Sequence, residues 1–195
     1  MTVATVSVQQ WYGAGPTKAT VTTPRLSTMD SNNPGTSNPI PIPAAGLNYS
    51  YWMSLFLTIT NIQDATLLNN HLFYSDGACG WALGTSGDLF VGVKSTGDNG
   101  LPGASYDQAT GTEGTTGDDM DDSADGHAYY KDGTANHAVP AAVDGYTTGS
   151  DLTVDSGDHT VAEAFKGVVL QAVVDTDATR GAQVAETLTF QYDEV

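Results

Sequence analysis

Basic residues are scarce in this chain: Lys and Arg total 6 against 23 Asp and Glu over 195 residues, a formal net charge of −17. Such a surface repels nucleic acid and anionic membranes, so neither is an expected partner. It suits water crowded with salt, where screening over roughly 3 Å at 1 M removes the self-repulsion. A halophilic source is therefore expected. The single cysteine, Cys79, excludes an intramolecular disulfide. Within GACGW (77–81) it reads as a small buried residue rather than a nucleophile. No apolar run is long enough for a membrane-spanning helix, so no membrane insertion is expected. The opening MTVATVSVQQWYG lacks the basic start and apolar core of a secretory signal. A protein acting outside the cell is then expected to leave it as part of an assembly.

Helical periodicity is also missing, and only residues 161–165 hint at a helical turn. The recurring period is 2. Strands are expected over 2–12, in a short edge run within 18–28 that Pro24 limits, and over 49–62. Further strands are expected at His71–Tyr74, around Leu89, Val91 and Val93, and near Leu152 and Val154. In the 49–62 run Tyr51, Met53, Leu55, Leu57 and Ile59 share one face, and Trp52, Phe56, Thr58 and Thr60 the other. The stretch 168–174 is apolar on both faces apart from Gln171, as in a strand buried between layers. Leu188, Phe190 and Tyr192 alternate with polar residues in a half-wet strand, and 167–195 reads as a closing hairpin. Gly92, inside a strand pattern, marks a bulge or a close approach. Together these predict one all-β domain over 1–195, an antiparallel β-sandwich of jelly-roll type.

Two segments interrupt this pattern. Residues 30–46, with Pro34, Pro39, Pro41 and Pro43, cannot be a helix or an inner strand, because proline lacks the backbone donor. They are expected to form an extended arm, with Pro39, Ile40, Pro41, Ile42 and Pro43 lying across a neighbouring subunit. Residues 97–160 hold 13 of the 23 acidic residues and one of the six basic ones. They read as a long acidic Gly/Thr/Asp-rich insertion, and loops of that length are functional or disordered.

Candidate chemistry is sparse. The run DDSADGHAYYKD (121–132) sets Asp121, Ser123 and Asp125 at alternate places, Gly126 at the sixth and Asp132 at the twelfth. That is the ligand order of a Ca²⁺ loop, in which alternate side chains converge on a hard cation and glycine permits the turn. Asp replaces the closing Glu, and a solvated acidic loop is the competing reading. Ca²⁺ or another cation is thus the only cofactor the sequence implies. His71, His127, His137 and His159 lack the paired spacings of structural zinc sites and read as surface or hydrogen-bonded residues. Ser86, in GTSG (84–87), misses the nucleophile-elbow pattern. Trp11, Trp52 and Trp81 fit core packing better than sugar stacking for at least two of the three. No catalytic constellation emerges, and no enzymatic activity is expected.

Two stretches, NPIPIPAAGLNYSYWMSLFLTIT (38–60) and GVVLQAVVDTDATRGAQVAETLTFQYDEV (167–195), resemble a family of uncharacterised structural proteins of tailed viruses and proviruses. In that family a Pro-rich arm precedes a YSYW-like strand, and the chain closes on an ETLTFQYDE-like strand. The stretch ATGTEGTTG (109–117) is similar to its turn region. The resemblance implies a virion component without catalytic residues, here of a haloarchaeal tailed virus. Its expected partners are copies of itself and other virion proteins. Such parts form closed symmetric oligomers, as a capsid decoration or turret, or as a tail or baseplate module. Two further classes stand beside it: a host-surface glycan-binding module using 97–160 as recognition loop, and a hydrolase on a β-sandwich.

Overall fold

A computed structural model describes residues 3–94, 97–101, 105–134 and 140–195. The strands, in chain order, are β1 (Thr5–Tyr12), β2 (Thr17–Thr20), β3 (Leu47–Tyr49), β4 (Met53–Asn61), β5 (Leu68–Ser75) and β6 (Asp88–Val91). They continue as β7 (Gly111–Thr112), β8 (Thr116–Gly117), β9 (Ala141–Ala142), β10 (Leu152–Asp155), β11 (Ala164–Asp175) and β12 (Leu188–Glu194). Among the described residues the only helical element is a 3-10 turn at Val143–Gly145, and no helix is long and apolar enough to cross a membrane. The all-β class holds.

The larger sheet runs β2-β1-β4-β11-β6-β9, with β3 also on β11; the smaller runs β10-β5-β12. Every pairing is antiparallel. The two sheets face each other across an apolar interior. Met53 and Leu55 of β4, Val168 and Leu170 of β11, and Leu89 and Val91 of β6 meet Phe73, Leu152 and Val154 of the small sheet. At one end Leu57, Ile59 and Phe165 close against Leu68, with Phe190 and Tyr192 beside them. The alternation read along 53–59 therefore chooses the faces correctly, whereas Tyr51, expected on the Met53 face, packs with Trp52 and Phe56 on the other.

The outer face of the large sheet is covered too, and here the expectation for 97–160 is corrected. Trp52 and Phe56 of β4, Trp11 of β1 and Val169 of β11 pack under Leu101, Ala109, Met120, Tyr129 and Tyr130. The acidic segment supplies a third layer, with its apolar residues turned inward and its carboxylates outward. Acidic composition masks this because the buried anchors are few and irregularly spaced. One polar residue fixes the layer. Gln171, buried in β11, donates to the carbonyls of Ser50 (2.8 Å) and Asp118 (2.7 Å) and accepts the Met120 N–H (2.9 Å).

Other expectations change. Strands β11 and β12 are not a hairpin: β12 pairs with β5 in the opposite sheet, so the connection 176–187 crosses from one sheet to the other. Residues 161–165 form no helical turn, and Ala164 and Phe165 already belong to β11. The run 49–62 breaks before β4, where the Tyr51 N–H turns aside to bond the Ser27 carbonyl (2.9 Å). Gly92 is a close approach, since a Cβ there would stand 2.9 Å from the Tyr130 ring.

Candidate functional site

The densest group of ionisable side chains lies where β10, β11 and the loop between them meet, around a shallow cleft of about 410 Å³. Asp155, the last residue of β10, accepts the Lys166 N–H (2.9 Å) and the Gly157 N–H (2.9 Å), and its Oδ2 lies 3.1 Å from His159 Nε2. The other ring nitrogen of His159 lies 3.0 Å from Glu163. The Lys166 ammonium is paired with Asp98, with Asp155 at 4.0 Å. Burial opposes the charge on Asp155, but the two N–H donors, His159 and Lys166 outweigh it and hold the carboxyl below its ordinary value. On Lys166 burial likewise opposes the charge, and Asp98 and Asp155 overcome it, so the amine is raised.

This arrangement binds its own parts together. Both imidazole nitrogens of His159 face carboxylates of the chain, and the Lys166 amine is ion-paired. The cluster acts as a clasp between the sheets: His159 also exchanges backbone hydrogen bonds with Leu68 of β5 (2.8 and 2.9 Å).

Two histidines read as surface or hydrogen-bonded residues are in the core. His71 on β5 is fully buried, with Phe165 at 4.9 Å and Phe190 at 5.4 Å between ring centroids. Neither of its ring nitrogens makes a hydrogen bond of normal geometry. Burial lowers its pKa to about 3 against the pull of nearby Asp155. His127 is fully buried beside Trp52 and Tyr130, its Nδ1 accepting the Tyr129 N–H (3.1 Å). Burial lowers it to about 4, with Asp107 acting the other way. His137 lies outside the described residues.

The Ca²⁺-like run 121–132 folds as a tight turn. Among the described residues no three His, Cys, Asp or Glu side chains gather as metal ligands. The reason is local. Asp122, off the ligand register, organises the turn by accepting the N–H groups of Ala124 (2.7 Å) and Asp125 (3.1 Å). Gly126 is pressed on backbone, a Cβ there lying 2.3 Å from the Asp122 carbonyl oxygen. Its neighbour His127 points into the core rather than toward an ion.

The Pro-rich segment is not extended throughout: Ser37 N–H closes a turn on the Pro34 carbonyl (3.1 Å) and Asn38 has φ 51°, and the segment lies on its own chain. Ile40 and Ile42 pack over Leu83, Ala172 and Val174 near the end of β11. The Pro41 carbonyl accepts from Asn48 (2.8 Å), and the Asn38 carbonyl accepts both the N–H and the hydroxyl of Thr28 (2.9 and 3.0 Å). Pro39 is exposed, and Pro41 and Pro43 are half-buried. Burial pushes the half-buried Cys79 thiol up to about 11, which disfavours a thiolate. Trp11 and Trp52 are core residues, and Trp81 is half-buried. Ser86 is exposed with its N–H on Asp175 (2.9 Å).

Sequence reasoning noticed Gln171 as the lone polar residue of an apolar run, a signal that pointed to its role. It gave no signal for the burial of His71. Comparison of the chain with protein-family models, curated proteins and solved structures finds no match.

Proposed function

We propose that the chain is a non-enzymatic structural subunit of a tailed-virus particle, a capsid-surface decoration or turret protein working through contacts between subunits. Its partners are then copies of itself and other virion proteins, and its place of action is the virion.

One observation supports this reading above the rest: parts of the three stretches that carry the family resemblance meet in space, although the closing strand β12 lies in the opposite sheet. Strands β3 and β4, from 38–60, pair with β11, from 167–195. The β7–β8 hairpin, from 109–117, sits on their junction. There Tyr49 N–H bonds the Thr116 hydroxyl (3.0 Å), and a Cβ on Gly117 would fall 2.3 Å from the Ser50 carbonyl oxygen. Motifs distant in sequence that build one structural unit are what a shared scaffold requires. An unrelated likeness in three places has no reason to assemble so. The internally satisfied clasp around Asp155 and His159 agrees with a part whose work is mechanical. A tail or baseplate module would use the same scaffold.

Mass photometry of the full chain in high salt tests the proposal. A defined trimer, pentamer or larger ring is the expected result. A compact monomer at all protein concentrations, which also fails to coat particles lacking it, overturns the reading.

A further inference from the structure

A second cleft, of about 450 Å³, opens between the β1–β2 turn, the start of the arm and the 108–113 stretch. It is separate from the Asp155 clasp. Half-buried Asp30 lies in it, its Oδ2 accepting the Gly13 N–H (2.8 Å) and the Gln108 amide (2.9 Å). Among the described residues no ion pair joins Asp30 to a base. The ammonium of Lys18 sits over the Trp11 ring instead, 3.8 Å from its centroid. Burial raises the Asp30 carboxyl despite both donors. Glu113, held by the Asn38 amide (2.8 Å), Thr110 and the Tyr51 phenol complete the wall. Burial, then Glu113, Asp118 and Asp30, raise the Tyr51 phenol, which stays a hydrogen-bond donor at neutral pH. Gly111 has φ +142°, and a Cβ there would strike Gly117 and the Thr116 carbonyl at 2.5 Å and the Tyr51 ring at 2.9 Å. Glycine therefore lets the backbone at 111 pack closely beside the Tyr51 ring.

We propose that this cleft binds the hydroxyl groups of a neutral saccharide. A sugar hydroxyl donates and accepts at once, which matches carboxylate acceptors at Asp30 and Glu113 beside hydroxyl donors at Tyr51 and Thr110. The half-buried Tyr51 side chain lines the cleft and offers an apolar edge to the C–H face of the sugar. Uronates, sialylated sugars and phosphates are repelled by Asp30, Glu113 and Asp118. An ammonium brings donors only, so it engages the acceptor side of the Tyr51 and Thr110 hydroxyls and makes no use of their donor capacity. The inference stands apart from the particle reading, because a single chain carries the whole cleft.

The test is an NMR titration of the ¹⁵N-labelled full chain with methyl α-mannoside, methyl β-galactoside and maltose, with galacturonate and lysine methyl ester as comparators. Amide shifts at Gly13, Gln108, Thr110 and Gly111 with at least one neutral sugar, absent with galacturonate, are expected. Asp30→Asn weakens that binding about tenfold or more, the loss expected for a hydrogen bond to a charged group. Because Asp30 also holds Gly13 and Gln108, Thr110→Val provides a second variant, altering an exposed side chain; it too weakens binding with an otherwise unchanged spectrum. No response to any neutral sugar, shifts confined to other residues, or an equal response to galacturonate or lysine methyl ester overturns the proposal.

Discussion

Buried imidazoles place a pH limit on this protein at the level of single residues. His71 and His127 are lowered to about 3 and about 4, whereas an unfolded histidine titrates near 6.5. Between those values the unfolded chain binds more protons than the folded one, so stability is complete above about pH 6.5 and falls as the pH drops. Each imidazole contributes on the order of 1.4 kcal/mol per pH unit inside that window. Asp155, lowered in the fold, adds its own loss only below its ordinary value of 3.8. Denaturant midpoints measured from pH 7 to pH 4.5 should fall steadily, and His71→Leu should flatten the slope while leaving stability at pH 7 little changed. A wild-type midpoint constant over that range would contradict the burial of both rings. Gln171 offers a second test at this scale. Gln171→Leu orphans the Ser50 and Asp118 carbonyls and the Met120 N–H, and should cost roughly 2–4 kcal/mol. Hydrogen exchange should show the Met120 amide losing its protection first.

At the level of elements, the arm and the acidic layer are held by few contacts and should respond separately. Ile42→Asp places a charge against Leu83, Ala172 and Val174. It should cost roughly 1–3 kcal/mol and change the fluorescence of Trp81, which packs on the same group. Gly92→Ala should push the Tyr130 ring off β6 at a cost of about 1–3 kcal/mol, visible as lost near-ultraviolet dichroism. The same elements show how far the sequence could be read. Period-2 alternation located β4 and β6 and assigned the faces of β4 from Met53 on, because each residue there meets the same layer as its neighbour two places on, while β11 was located by a continuous apolar run. Pro24 and the prolines of 30–46 announced where regular pairing stops. What failed was whatever depends on distant partners. Nothing along 176–187 says that the chain changes sheets before β12, because pairing to β5 is decided by residues more than a hundred positions away. The Ca²⁺-like order of 121–132 records side-chain types but not direction, and direction was set by His127 packing into the core beside Trp52. Leu101, Met120, Tyr129 and Tyr130 are too widely spaced among Asp, Gly and Thr to show a period, so a layer read as a loop.

For the whole molecule the governing quantity is charge. A net −17 on 195 residues is self-repulsion that folding concentrates, since the compact state brings carboxylates closer than the unfolded chain does. The third layer sharpens this, because residues 105–134, which cover the outer face of the large sheet, carry 8 of the acidic residues. Its apolar grip rests on Leu101, Ala109, Met120, Tyr129 and Tyr130, while the opposed sheets share a larger interior. Dilution of salt lengthens the screening distance from roughly 3 Å at 1 M to 10 Å at 0.1 M. That reach spans neighbouring surface carboxylates, so the acidic layer should loosen before the sandwich does. Below about 0.5 M salt the chain should unfold or aggregate, with hydrogen exchange rising across 105–134 ahead of β4 and β11. Sodium chloride and potassium chloride should protect equally, because the effect is screening and needs no bound ion. Full stability in dilute buffer, or exchange that rises uniformly through all three layers, would remove both the halophilic reading and the view of the acidic segment as the weakest layer.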